Sequence, residues 1–128
     1  MTKQVIRSIV PIPGAREISL MKMDNRYHLH ALTGDAVYFV FDTLSWTVLY
    51  HESLARFGRI VREGLAWTDD GQLVILMSAT LLIIDPVFYR ISQTIGLSRP
   101  ATSGIACKGN RVYYGSGSLL CETTLTNK

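Results

Sequence analysis

An apolar run from Leu73 to Ile84 constrains the fold of this chain more than any other feature of its sequence. The run is about 12 residues long and is interrupted by Ser78 and Thr80, whereas a membrane-spanning helix needs roughly 20 apolar residues. We therefore expect no membrane partner and a cytoplasmic location, because the first 17 residues also lack the apolar core of a signal peptide. Short strands that are buried on both faces explain the run.

The run belongs to a unit of four predicted strands that are joined by tight turns. β-branched and aromatic residues dominate the unit, and turn residues such as Asp70 and Gly71 separate its apolar segments. The predicted strands cover residues 63–69, 72–78, 80–85 and 90–96. Strands that follow one another through tight turns form an antiparallel meander.

The same unit recurs on both sides of this segment. Asp42 and Asp85 each close an apolar third strand and lie 43 residues apart, and both are expected to hold the backbone of the following turn. Residues 4–11 fall in the register of a fourth strand, and we predict that they complete the third repeat, which has only three strands of its own. The repeats cover about residues 17–53 (first repeat), 63–96 (second repeat) and 103–124 (third repeat).

This organisation resembles the β-propeller repeat family, in which four-stranded antiparallel blades of about 40–45 residues surround a central channel. The resemblance covers almost the whole chain, and we predict that residues 1–128 form a single domain. The Trp-Asp and Gly-His pairs of the WD40 type are absent, and the loose pattern is closer to the NHL or YVTN type. The predicted fold is therefore all-β, with three four-stranded antiparallel blades. The alternative is a plain β-sandwich or barrel of 12 short strands.

Three blades do not close a propeller, since closed rings generally contain about 4–8 blades. We expect two copies to form a six-bladed ring around a twofold axis, the commonest symmetry of oligomers. The strand 4–11 of one copy would then pair with residues 118–124 of the other. The hydrophobic fraction of 48% agrees with blades that are buried on both faces. The alternative is that the chain is part of a longer propeller.

Arginines recur in the segments that lead into the first strand of each repeat. The resemblance implies that these segments share one face with the turns between second and third strands, and that this face binds ligands. Because the guanidinium group suits carboxylates and phosphates, we predict an anion-binding face. The predicted ligand-binding residues are Arg16, Arg56, Arg59, Arg62 and Arg99, with Trp67 lining the channel. The alternative is solvated arginines that pair with neighbours such as Glu17 and Glu63.

The predicted function is a non-catalytic binding module. The net charge of +3 permits an anionic small molecule or an acidic protein as partner, with nucleic acid as a weaker candidate. The alternative function is a small-molecule hydrolase or lyase with its site in the propeller channel. No catalytic residue and no cofactor is predicted, because we find no supported Ser-His-Asp arrangement and no Gly-rich phosphate loop.

Histidine and cysteine patterns add no metal site to this prediction. His28 and His30 lie two residues apart and face the same side of a strand, but a third ligand would have to come from elsewhere in the chain. We expect both histidines to pack between blades. Cys107 and Cys121 are not clustered with histidines and are expected to be reduced thiols.

Overall fold

The computed structural model describes residues 7–125 of the chain. This part contains eleven β-strands and a short 3-10 helix at Ala55–Phe57. The strands are β1 (Ile18–Met23), β2 (His28–Thr33), β3 (Val37–Asp42), β4 (Thr47–Ser53), β5 (Ile60–Trp67), β6 (Leu73–Met77), β7 (Thr80–Asp85), β8 (Arg90–Gly96), β9 (Ser103–Lys108), β10 (Arg111–Ser116) and β11 (Leu119–Thr124). Over residues 7–125, no helix has the length and apolar character needed to cross a membrane.

The strands form one four-stranded and one seven-stranded sheet. The first sheet is the antiparallel meander β1-β2-β3-β4, and the second has the order β11-β10-β9-β5-β6-β7-β8. In the second sheet β5 and β9 run parallel and pair at Arg62 and Ser103. The sheet therefore consists of two meanders, β5-β6-β7-β8 and β9-β10-β11, that are joined through their first strands. Strand β1 also packs beside β5. The first strands of the three repeats are therefore neighbours, as the inner strands of propeller blades are.

These strands confirm the prediction of an all-β fold built from antiparallel meanders. The number of blades in the complete molecule and its completion by a second copy stay predictions. We predicted a strand at residues 4–11. Of these residues the structure describes 7–11, and they are not in strand conformation. Residues 4–6 lie outside the described residues. Ile12 packs against the outer side of the first repeat, where it covers apolar surface that the β1–β4 sheet does not cover itself.

The apolar run is hydrophobic because the second repeat is packed on both sides. All five residues of β6 have no exposed surface. Alternate residues of β6 and β7 face opposite ways, since side chains alternate across a strand. The first repeat is contacted by Leu73, Ile75, Met77, Leu82 and Ile84, and the third repeat by Val74, Leu76, Leu81 and Ile83. A strand between two layers has no solvent face, so it carries no polar alternation.

Candidate functional site

The loops that carry the predicted arginines lie at one end of the sheets, which we call the upper face. It consists of residues 11–17, 34–36, 54–59, 78–79, 97–102 and 117–118. Backbone hydrogen bonds join these loops in pairs: Gly34 N donates to Glu17 O at 2.7 Å, and Ser78 N donates to Arg59 O at 2.9 Å. Ala101 N also donates to Ser78 O at 2.9 Å. The inter-repeat segments and the β2–β3 and β6–β7 turns therefore share this face, as the propeller resemblance implies.

All five predicted arginines are exposed on or beside the upper face. Two of them have acidic neighbours. The Nε atom of Arg16 lies 3.6 Å from Oε1 of Glu17, and Nη2 of Arg56 lies 3.1 Å from Oε2 of Glu52. Exposed pairs of this kind contribute little to stability. They do lower the positive charge that these two residues present to a partner.

The charges of the other three arginines are not paired with a described acidic side chain. Within residues 7–125, the side chains of Arg59, Arg62 and Arg99 form no ion pair and no hydrogen bond. Arg62 lies in β5 opposite Ser103, at the end of the strand that adjoins the upper face. Arg59 and Arg99 lie in the segments that enter β5 and β9. The upper face thus holds three exposed guanidinium groups that no described acidic side chain neutralises.

Trp67 is at the opposite end of β5, away from the arginines. The opposite end of the sheets, which we call the lower face, consists of residues 24–27, 43–46, 68–72, 86–89 and 109–110. Trp67 lines a lower-face cavity of about 520 Å³ between the first and second repeats. The cavity wall also contains Met23, Asp24, Asn25, Arg26, Gly71, Pro86 and Val87. The structure therefore separates the predicted site residues into two places.

A chain of buried hydrogen bonds lies behind this cavity. The Nε2 atom of His30 is 2.9 Å from Oδ2 of Asp24, and its Nδ1 atom is 2.8 Å from the hydroxyl of Tyr38. The ring of Trp67 packs edge-on against the imidazole, with ring centroids 5.3 Å apart. His30 has no exposed surface. The expected packing of this histidine between repeats is confirmed, and its two ring nitrogens are both occupied.

The protonation states follow from the surroundings of each group. Burial lowers the pKa of His30, and the hydrogen bond to Asp24 offsets this only in part. Burial raises the pKa of Asp24, but hydrogen bonds from His30 and from the backbone N–H groups of His28 and Arg26 outweigh it, so the pKa is lowered overall. At neutral pH the carboxylate is ionised and can only accept. Neutral His30 therefore donates from Nε2, and its Nδ1 accepts from Tyr38, whose pKa burial raises.

The described residues form no metal centre. In residues 7–125 no group of three or more histidine, cysteine, aspartate or glutamate side chains is arranged to hold an ion. His28 and His30 do face the same side of β2, but His30 is already bonded on both nitrogens. Cys107 and Cys121 are free thiols in β9 and β11, and burial raises the pKa of Cys107.

Comparison with known proteins identifies the fold. No protein-family model matches the sequence, and no curated protein matches it. The WD40 β-propeller domain of Doa1 superposes with a TM-score of 0.66 at 17% identity, over 82% of this chain and 35% of that one. The β-propeller domain of Cps50 (Swd1) from Myceliophteria thermophila gives 0.63 at 10% identity, over 96% and 42%. Hsv2 from Kluyveromyces lactis gives 0.53 at 11% identity, over 88% and 34%.

These likenesses show that the chain has the β-propeller fold. It spans between about a third and two fifths of the length of the propellers that it matches. The sequence identities are low, so the likeness concerns the fold and not a shared activity. The location of these arginines at one end of the sheets was predictable, because arginines recur in the segments that lead into the first strands of the repeats. The His30–Asp24–Tyr38 chain was missed, since its members come from a turn and two strands with no common sequence spacing.

Proposed function

We propose that this protein is a non-catalytic interaction module that binds an acidic segment of a partner protein on its upper face. The observation that carries the proposal is the set of three exposed guanidinium groups, Arg59, Arg62 and Arg99, which form no ion pair with a described acidic side chain. Guanidinium groups bind carboxylates through paired, charge-assisted hydrogen bonds. The propeller fold supports this role, because its rigid sheets hold loops from successive repeats on one face.

We propose further that the module acts as a homodimer with six blades. Strand β11 supports this proposal, because Leu120 at its start is 82% exposed and Leu119 is also exposed. Residues 4–11 of the second copy would add a strand to β11 and cover these side chains. The substitution Ile6→Asp would place a charge in the added strand and should yield monomers. Sedimentation equilibrium distinguishes a particle of twice 14.3 kDa from a single chain, and an unchanged dimer would contradict the exchange.

The binding experiment compares two triple variants that remove the same number of charges. The first carries Arg59→Ala, Arg62→Ala and Arg99→Ala, and the control carries Arg26→Ala, Arg90→Ala and Arg111→Ala on other parts of the molecule. Fluorescence anisotropy of a labelled polyglutamate peptide measures Kd. We expect the first variant to bind about tenfold more weakly than the control, since direct charge pairs are lost and not only net charge.

Salt and a second probe complete the test. Binding should weaken steadily between roughly 0.05 and 0.5 M salt, because exposed charges are screened over this range. Equal losses in both triple variants, or binding that salt does not affect, would overturn the upper face as the site. A labelled oligonucleotide that binds more tightly than polyglutamate would replace the acidic protein with nucleic acid as the partner, and tighter binding of a small anion such as phosphate would indicate a small molecule.

Three finer points belong to the same proposal. The NHL or YVTN type of propeller and the cytoplasmic location stay predictions from the sequence. The hydrolase or lyase alternative is the weaker one, because the imidazole of His30 has no exposed surface and is bonded through both nitrogens. A general base must lie within hydrogen-bonding distance of its substrate, and this imidazole cannot contact one in the neighbouring cavity.

A further inference from the structure

We propose that the lower-face cavity between the first and second repeats binds an organic cation with an apolar stem, of the kind that a lysine or arginine side chain presents. The cavity volume of about 520 Å³ lies within the usual range for ligand sites. This site is independent of the upper face, because its residues come from the turns at the other end of the sheets. It also requires the opposite charge in its ligand.

The carboxylate of Asp24 is the anionic group of this site. Its side chain is only 7% exposed, yet it lines the cavity. Oδ1 accepts from the backbone N–H groups of Arg26 at 2.8 Å and His28 at 3.0 Å. Oδ2 accepts from Nε2 of His30 at 2.9 Å. A carboxylate has about four acceptor positions, so three are filled from the protein side and one is left for a ligand.

No described arginine or lysine side chain forms an ion pair with this buried carboxylate. His30 is neutral, and Nδ1 of His28 lies 3.8 Å from Oδ2 of Asp24, beyond hydrogen-bonding distance. That nitrogen is itself buried without a hydrogen-bond partner among the described residues. The guanidinium of Arg26 instead donates to Pro86 O at 3.1 Å on the exposed rim. Buried charges are normally paired with an opposite charge or a metal, so a ligand cation would supply what the site lacks.

Several of the remaining wall residues are apolar and match the stem of such a ligand, although Asn25 and Arg26 also line the cavity. Trp67, Met23, Pro86 and Val87 line the cavity beside Asp24. An aromatic ring attracts a cation through its quadrupole, and the apolar walls can cover the methylene groups of a lysine or arginine stem. Val87 is 54% exposed at the rim. A free metal ion or a hydrated inorganic cation would leave these apolar groups uncovered, and therefore the site favours an organic cation.

The first experiment measures binding of defined probes by isothermal titration calorimetry and by the indole N–H signal of Trp67 in NMR spectra. The probes are n-butylammonium, N-acetyl-lysine amide, a Gly-Ser-Lys-Ser-Gly peptide, and N-acetyl-norleucine amide as the uncharged isostere. We expect the three cations to bind saturably and to shift the Trp67 signal, and the norleucine probe to bind about tenfold more weakly or not at all. Equal binding of the norleucine probe, or no binding by any cation, overturns the proposal.

The second experiment removes or occupies the charge. Asp24→Asn should abolish binding of the cationic probes, whereas Asp69→Asn on the corresponding turn of the second repeat should leave it unchanged. Because Asp24 also holds its own turn, Val87→Lys provides a variant at an exposed position, where a tethered ammonium should compete with the probe. Leu44→Lys, at the matching position of the first repeat, is its control. Binding that survives both Asp24→Asn and Val87→Lys contradicts the proposal.

The probes also distinguish the source of the cation. If the lysine peptide binds about tenfold more tightly than n-butylammonium, the site binds a basic side chain of a protein, because backbone contacts at the rim add to the affinity. Tighter binding of n-butylammonium would show that it holds a free amine. Both results support an organic-cation site, and neither depends on the arginines of the upper face.

Discussion

The Nε2 atom of His30 donates to Oδ2 of Asp24 over 2.9 Å, and this contact joins the inner face of β2 to the turn that precedes it. The same imidazole accepts from Tyr38 and packs against the ring of Trp67 in the second repeat. One side chain thus connects a turn, two strands of the first repeat and the first strand of the next repeat. The imidazole has no exposed surface, so its protonation is linked to folding.

The stability of the protein should fall as the pH drops below about 6.5, the ordinary pKa of histidine. Burial lowers the pKa of His30 in the folded state, so the unfolded chain binds more protons in this window. Stability rises with pH wherever the unfolded state binds more protons. Urea unfolding between pH 7.5 and 5 should therefore show a decreasing free energy of unfolding, and the lowered pKa of Asp24 extends the decrease below 3.8.

Two variants test whether His30 causes this pH dependence of stability. His30→Gln retains a hydrogen-bonding side chain but cannot be protonated, so the slope between pH 6.5 and 5 should become smaller. His51→Gln is the control, because His51 is exposed in β4 and should not change the slope. An unchanged slope in His30→Gln would show that another group carries the dependence.

The sequence predicted the fold better than the candidate sites. Each strand is specified locally by apolar alternation and by turn residues, and the recurrence of Asp42 and Asp85 revealed the repeat. The recurring arginines likewise predicted one exposed face. The cavity at Trp67 was not predictable, because its walls come from turns of two repeats that only packing brings together. Local patterns do not encode such contacts between distant segments.

Truncation of the core of the second repeat should destabilise the protein strongly. Leu82 has no exposed surface and packs between the first and second repeats. Leu82→Ala leaves a cavity in a packed core, and such changes cost about 2–5 kcal/mol. Leu44→Ala, at a position that is 72% exposed, should change the free energy of unfolding by less than about 0.5 kcal/mol. Similar urea midpoints for the two variants would contradict the packing described for β7.

The turn between β7 and β8 should depend on Asp85 as an acceptor. Oδ1 of Asp85 accepts from Val87 N at 2.8 Å, and Asp42 accepts from Leu44 N at 2.9 Å in the equivalent turn. Asp85→Ala removes this bond and should cost about 1 kcal/mol in thermal or urea unfolding. Asp85→Asn keeps an oxygen at the same place and should lose less. If the Asp85→Asn and Asp85→Ala variants have the same free energy of unfolding, the charge of Asp85 stabilises the turn and the hydrogen bond does not.

Replacement of Glu63 by glycine should stabilise the protein. Glu63 lies in an irregular part of β5 with a φ of 59°, a left-handed conformation that costs a residue with a Cβ atom roughly 1–2 kcal/mol. Its side chain is exposed and forms no ion pair within residues 7–125, so little is lost with it. Glycine adopts this conformation without strain but gains freedom in the unfolded chain, and the net gain should be about 0.5–1 kcal/mol.

The companion variant for this position is Glu63→Val. A β-branched residue tolerates the left-handed region least, so its free energy of unfolding should fall below that of the natural protein. Urea denaturation at neutral pH gives both values on one scale. The expected order of stability is glycine, then glutamate, then valine. If the Glu63→Val variant is as stable as the natural protein, the backbone at this point of β5 is not constrained to the left-handed region. The irregular part of β5 could then pair regularly with β6.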